Sequence, residues 1–242
     1  MNKLTALLLP LLLTSSMVNA AIVTFTGGTA FLESGDTVIT DSTSQNDGVQ
    51  RYTEGSVTLE YNSPNEDWSF QTVGNYYQAD NDVIHGHWTA LSSIKISRDE
   101  NVPFDLQYFN LTSNTEQGGG TSTGVESVAI QGFLGGEAVT QEFLLPSNDW
   151  GGDYQDVFLP KSFDNVDKVV IRDLSQWTNG VYTQADWSAF CFGMDNFVFD
   201  EVVPEDLIQG NAQELVVATP EPSTALLGAL ASLFFAFKRK RG

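Results

Sequence analysis

Between positions 21 and 203 no window carries the three-and-four spacing of an amphipathic helix. Short stretches of alternating apolar and polar residues recur instead, separated by turn-forming residues. A period of two suits a pleated strand with one buried face, and it constrains this chain more than any other feature. Val57, Leu59 and Tyr61 alternate within 56–62, and comparable runs fall at 22–25, 92–98, 104–111, 126–132, 138–144, 156–159, 168–172 and 197–199. In 104–111 the alternation predicts Phe104, Leu106 and Tyr108 on one face and Phe109 and Leu111 on the other. Gly135-Gly136 joins two of these runs, as a tight hairpin turn with positive φ requires. Many strands at short spacing predict an all-β antiparallel sandwich over 21–203. Residues 204–219 show no compact pattern and read as a linker.

Charge bears on environment and partners. Residues 21–219 hold six cations (Arg51, Lys95, Arg98, Lys161, Lys168, Arg172) against thirty acidic residues, a net charge near −24. Such a surface repels nucleic acid and anionic lipid and attracts divalent cations. Cys191 is the only cysteine, so no internal disulfide is available, and the flanking Phe190 and Phe192 mark it as a core residue. The core alone, aided by any bound metal, must hold about 180 residues together.

Both ends read as export signals. Lys3 precedes an apolar run over 4–13, and Val18-Asn19-Ala20 has the small residues of a cleavage site, so 1–20 reads as a signal peptide. At the other end Pro220-Glu221-Pro222 is followed by an uncharged stretch to Phe237 and then by Lys238-Arg239-Lys240-Arg241. Ala225 to Phe237 spans 13 residues, about 20 Å as a helix, short for a hydrocarbon core of about 30 Å. The four cations behind it act as a cytoplasmic stop. This tripartite tail, 220–242, resembles the PEP-CTERM sorting signal of Gram-negative bacteria. The resemblance implies a sorting motif at Pro220, Glu221 and Pro222, a short transmembrane helix and recognition by an exosortase. It also implies passage through the inner membrane on the way to the cell surface or extracellular matrix.

The stretch 125–201 carries a second resemblance. Its order is Val128-Ala-Ile-Gln-Gly-Phe-Leu-Gly-Gly, then Phe143, Trp150, Val157-Phe-Leu-Pro, 163–171 and Gly193-Met-Asp-Asn-Phe-Val-Phe. It is similar to the closing half of galactose-binding-like or jelly-roll sandwiches. That resemblance implies a structural Ca²⁺ bound by Asp195, with oxygen ligands from the first loops. Glu33 and Asp36 are the carboxylates nearest the first strand and the candidate partners. His85-Gly86-His87 is a weaker candidate for metal and reads first as a loop with exposed imidazoles.

Aromatic residues in polar surroundings suggest a sugar-binding surface, because ring faces stack on sugar C–H groups while polar neighbours bond hydroxyls. Tyr76, Tyr77, Trp88, Trp150, Tyr154, Trp177, Tyr182 and Trp187 fit that description, with Trp150 and Trp177 the leading ligand-binding candidates. Neither a nucleophile elbow nor a zinc-hydrolase motif is present. The reading is therefore a non-catalytic surface or exopolysaccharide-matrix protein, structural or adhesive and in contact with a glycan. The alternative is a secreted carbohydrate-active enzyme with a catalytic carboxylate pair.

Overall fold

The computed structural model describes residues 21–63, 66, 68, 71–75, 82–87, 93–112, 128–144, 155–173, 177–178, 181–182, 191–210 and 215–217. The expected signal peptide and sorting tail lie outside these residues. In chain order the first strands are β1 (Ala21–Val23), β2 (Thr29–Leu32), β3 (Thr37–Ile39), β4 (Gln45–Asp47), β5 (Val49–Glu54), β6 (Val57–Asn62), β7 (Thr72–Asn75), β8 (Asp82–His87) and β9 (Ser93–Arg98). The remainder are β10 (Leu106–Thr112), β11 (Val128–Leu134), β12 (Glu137–Leu144), β13 (Gln155–Phe158), β14 (Lys168–Asp173), β15 (Trp177–Thr178), β16 (Val181–Tyr182), β17 (Cys191–Phe199) and β18 (Leu215–Val217). Short 3-10 turns are the only helical elements among the described residues, and none of these is long and apolar enough to cross a membrane.

Two antiparallel sheets face each other across one core. The nine-stranded sheet runs β18-β12-β11-β14-β9-β6-β5-β2-β3, and the seven-stranded sheet runs β13-β10-β17-β8-β7-β4. Alternation builds the inner face of the larger sheet from Ala30, Tyr52, Leu59, Ile96, Val169 and Ile130, all fully buried. Opposite them the smaller sheet contributes Leu106, Phe109, Met194, Phe197 and Phe199, members of the same cluster. Its rings interlock: Phe109 stacks on Phe197 at 5.1 Å, Phe104 meets Phe199 edge-on at 5.4 Å, and Phe25 meets Phe197 edge-on at 6.1 Å. Such pairs each contribute about 0.5–1.5 kcal/mol beyond burial.

The first strand closes the smaller sheet. On one edge of β17, β8 pairs with Cys191–Met194 and β1 with Phe197–Phe199, while β10 takes the other edge. Between β1 and β8 a gap remains at Asp195 and Asn196. The ladder to β10 is irregular there, and Asn196 has φ +52°, a bulge conformation that asparagine tolerates well. At the β11–β12 hairpin, Gly135 and Gly136 have φ of +61° and +88°, matching the turn geometry read from the sequence.

Two sequence expectations are corrected. A register shift between Leu106 and Tyr108 breaks the alternation of β10, so Leu106, Phe109 and Leu111 all join the core and Tyr108 turns to the outer face. Residues 204–210 and 215–217, expected as part of a linker, are tied to the sandwich. Buried Asp156 accepts hydrogen bonds from the backbone N–H of Gln209 at 2.9 Å and Gly210 at 2.7 Å. The Tyr108 hydroxyl donates to Asp156 at 2.6 Å and also lies 2.8 Å from the Leu207 carbonyl. Leu215–Val217 then adds to the edge of β12 as β18. The sequence of 204–210 hid this, because the hydrogen bonds that hold it are made by its backbone groups.

Asp156→Ala should therefore lower stability by about 2–4 kcal/mol, since several donors lose a charged acceptor at once. Amide hydrogen exchange over 205–217 should accelerate more than in β9 or β14. Unchanged protection in that segment would show that it is held by something else.

Candidate binding groove

The outer face of the nine-stranded sheet carries a groove rich in charged and polar side chains. Cross-strand register sets Phe31 opposite Arg51, Arg51 opposite Glu60, Glu60 opposite Lys95, and Lys95 opposite Val170. This row crosses five strands, about 19 Å at roughly 4.8 Å per strand. It forms the floor of a groove of about 740 Å³. The β2–β3 turn with Asp36 lies at one end of the row, Lys168 and Arg172 of β14 lie at the other, and Trp68 adds an indole from the segment after β6.

Each cation in the groove is held. The Arg51 guanidinium stacks 3.8 Å from the Phe31 ring centroid, and the Lys168 ammonium sits 4.2 Å from that of Phe133. Lys95 forms an ion pair with Glu60. Arg172 donates to the side-chain oxygen of Gln131, whose amide donates to Gln141 at 2.7 Å. Four of the six cations of residues 21–219 thus line one groove, with Asp36 and Glu60 the carboxylates among its described lining. The fifth, Arg98, is buried in an ion pair with Asp200, and the sixth, Lys161, is exposed on a 3-10 turn.

Sequence reasoning missed Arg51, Lys95, Lys168, Arg172, Phe31 and Trp68 as a set. The available signal was that the four cations fall on the polar phase of alternating strands. Nothing in one sequence says which strands are neighbours.

Asp195 stands apart from this groove, on β17 at the gap between β1 and β8. Burial pushes its carboxyl up to about 8, and the charges of Asp82 and Glu54 add to the rise. The Asn196 N–H, donating at 2.7 Å, opposes it. Burial also raises the Glu54 carboxyl, which accepts from Thr24 N–H at 3.1 Å, Phe25 N–H at 3.0 Å and the Tyr52 hydroxyl at 2.7 Å. Thr26 donates to Asp82.

Glu33 and Asp36 are not brought to Asp195. The Glu33 N–H bonds the Gly48 carbonyl at 2.7 Å, beside the start of β5, whereas Glu54 ends that strand. The five steps from Val49 to Glu54 span about 17 Å. Asp36 accepts from the Ser34 hydroxyl at 2.9 Å and lines the groove instead. Among the described residues no group of three His, Cys, Asp or Glu side chains has metal-holding geometry.

The other candidates divide between described and undescribed residues. Trp177 pairs with Tyr182 in the β15–β16 hairpin, though nothing is described of its side chain, and Trp150 lies outside the described residues. His85 is buried on β8 rather than exposed in a loop, and its carbonyl accepts from Tyr61 at 2.7 Å. The backbones of His87 and Cys191 pair with each other, their side chains being outside the described set. Pro220, Glu221 and Pro222 also lie outside it.

No protein-family model matches the chain, and no curated protein matches it. A crystal structure of a DUF4465 family protein from Bacteroides caccae aligns with a TM-score of 0.45 and 13% identity, over 76% of this chain and 100% of that one.

The Asp195 site has a signed pH consequence. Its folded carboxyl keeps a proton up to about 8, against an ordinary value of 3.8. Between those values the folded state binds more protons than the unfolded one, so this contribution to stability is complete below the ordinary value and is lost as pH rises through about 8. Chemical denaturation at a series of pH values should show that decline in the wild type and a flatter curve for Asp195→Asn. Parallel curves would mean that Asp195 titrates normally.

Proposed function

We propose that this chain is an exported, non-catalytic sandwich protein of the cell surface or exopolysaccharide matrix that holds a glycan on the outer face of its nine-stranded sheet. One observation carries the reading: a groove of about 740 Å³ combines flat rings with fixed polar groups. The Phe31–Arg51 stack and the Trp68 indole offer planar surfaces, while Gln50, Asn62 and Ser93 offer groups suited to sugar hydroxyls. Export, the jelly-roll kinship and processing by an exosortase rest on the terminal and 125–201 sequence patterns. In this reading the tail at 220–242 supplies Pro220, Glu221 and Pro222 to the sorting enzyme and a short helix that enters the membrane before processing.

A binder is favoured over a hydrolase by the state of the groove's carboxylates. Glu60 is committed to Lys95, and Asp36 bonds Ser34. The acid poised to hold a proton, Asp195, belongs to the other sheet.

The reading includes a structural Ca²⁺ at Asp195. The oxygen chemistry suits the ion, but the donors near Asp195 are Asp82 and Glu54 rather than Glu33 and Asp36. Glu54 and Asp195 each accept hydrogen bonds at both oxygens, so an ion bound there would share these carboxylates with their present donors and would displace the Asp195 proton. Millimolar Ca²⁺ should raise the melting temperature relative to EDTA at matched ionic strength, more than Mg²⁺ does, and Asp195→Ala should remove the gain. An unchanged melting temperature would remove the ion from the account and leave the glycan reading intact.

Glycan-array binding run beside a hydrolysis screen of the same polysaccharides tests the main reading. Phe31→Ala and Trp68→Ala should each weaken glycan binding by about tenfold, the loss of roughly 1.4 kcal/mol of ring contact. Appearance of new reducing ends would replace the binder with a glycoside hydrolase.

A further inference from the structure

We infer that the ligand of the groove is an acidic polysaccharide, one whose sugars bear carboxylate groups. This deepens the glycan reading and rests on it. Cations are scarce in residues 21–219, six against thirty acidic residues, yet the groove gathers four of them with two carboxylates in its described lining. The local excess is positive within a strongly negative molecule. Neutral sugar hydroxyls need no such concentration, since amides and hydroxyls serve them equally well.

The cations are also placed for anions. Among the described residues neither Arg51 nor Lys168 forms an ion pair; each is held by a ring face, which leaves its charge without a countercharge. Arg51 Nε is buried and makes no hydrogen bond to the described residues, while the Arg51 side chain lines the groove. A guanidinium fork matches the two oxygens of a carboxylate. Arg51 and Lys95 stand two strands apart, about 10 Å, and Lys168 and Arg172 are four residues apart on β14, about 13 Å.

Sparse, separated cations suit a polymer with one anion per sugar. They do not suit duplex DNA, which carries a charge about every 1.7 Å and would meet the acidic remainder of the surface. Long-range repulsion by that remainder also accounts for a recessed site. A groove lined by low-dielectric walls preserves local attraction where an exposed patch would be screened.

The test is calorimetric titration of the purified chain, in EDTA, with four probes: alginate oligosaccharides, neutral dextran oligosaccharides, dextran sulfate and DNA. Alginate should bind at least about tenfold more tightly than dextran, and added salt should weaken it. Arg51→Gln and Lys168→Gln should each reduce alginate affinity by about tenfold, one lost charge-assisted contact, with the melting temperature unchanged. Lys161→Gln makes the same charge change outside the groove and should have no effect. Should Arg51→Gln lower the melting temperature, Lys168→Gln alone carries the comparison, because its contact with Phe133 lies at the surface. Dextran bound as tightly as alginate, and indifferent to both substitutions, would overturn the acidic preference while leaving the glycan reading standing. No binding to any saccharide would overturn both. Tighter binding of dextran sulfate than alginate would transfer the site to sulfated sugars, and tighter binding of DNA would make it a nucleic-acid surface; either result overturns the inference.

Discussion

The pairing of β17 with three other strands is the interaction on which the remaining structure depends. One edge of this nine-residue strand pairs with β10 between Gly193 and Phe199, while the other is divided between β8 and β1. This joins the start, middle and end of the described domain in a single ladder. Its inward rings, Phe197 and Phe199, then meet Phe25, Phe104 and Phe109. The irregularity at Asn196 lets Met194 and Phe197 both enter the core although they are three positions apart. It also places Asp195 beside the gap, where burial and neighbouring carboxylates disfavour its charge. A local departure from ladder geometry thus produces both good packing and an unusual acid.

The larger sheet divides its labour by face. Inward positions are spent on aliphatic and aromatic packing, so the outward phase of β5, β6, β9 and β14 is free to present Arg51, Glu60, Lys95, Lys168 and Arg172. Register alone brings them together, and strands hold side chains more rigidly than loops do. Arg98 illustrates the opposite choice: it lies on the same strand as Lys95 but is buried, paired with Asp200 and close to the rings of Phe104 and Phe199. A cation therefore serves cohesion at one end of β9, while another, Lys95, serves the surface in its middle.

How much of this was legible depended on whether a strand is buried on one face. β6 and β9 announce themselves through Leu59 and Ile96 alternating with polar residues, and β14 through the apolar run 169–171 between Lys168 and Arg172. β7 is buried at all four positions, and β4 is largely exposed, so neither shows a period of two. Tyr108 was misplaced because a bulge changes which residues share a face, and no local composition marks it. The Asp-Asn pair ahead of an apolar strand end suggests a Ca²⁺ ligand at Asp195, and nothing in that pattern announces its raised carboxyl. Its neighbours were not legible, since Asp82 and Glu54 approach through crossings between distant parts of the chain. The cation row was hidden for the same reason: from Arg51 to Lys95 to Lys168 the separations in sequence are long, and only strand order makes them adjacent.

The central claim is that the outer face of the nine-stranded sheet is a recognition surface. Amide chemical-shift mapping of the isotope-labelled protein during titration with an acidic oligosaccharide tests it most directly. The account predicts perturbations concentrated at Phe31, Arg51, Glu60, Lys95, Lys168 and Arg172, with β10, β13 and β17 undisturbed. Saturable perturbations centred on the seven-stranded sheet, with that row silent, would contradict it.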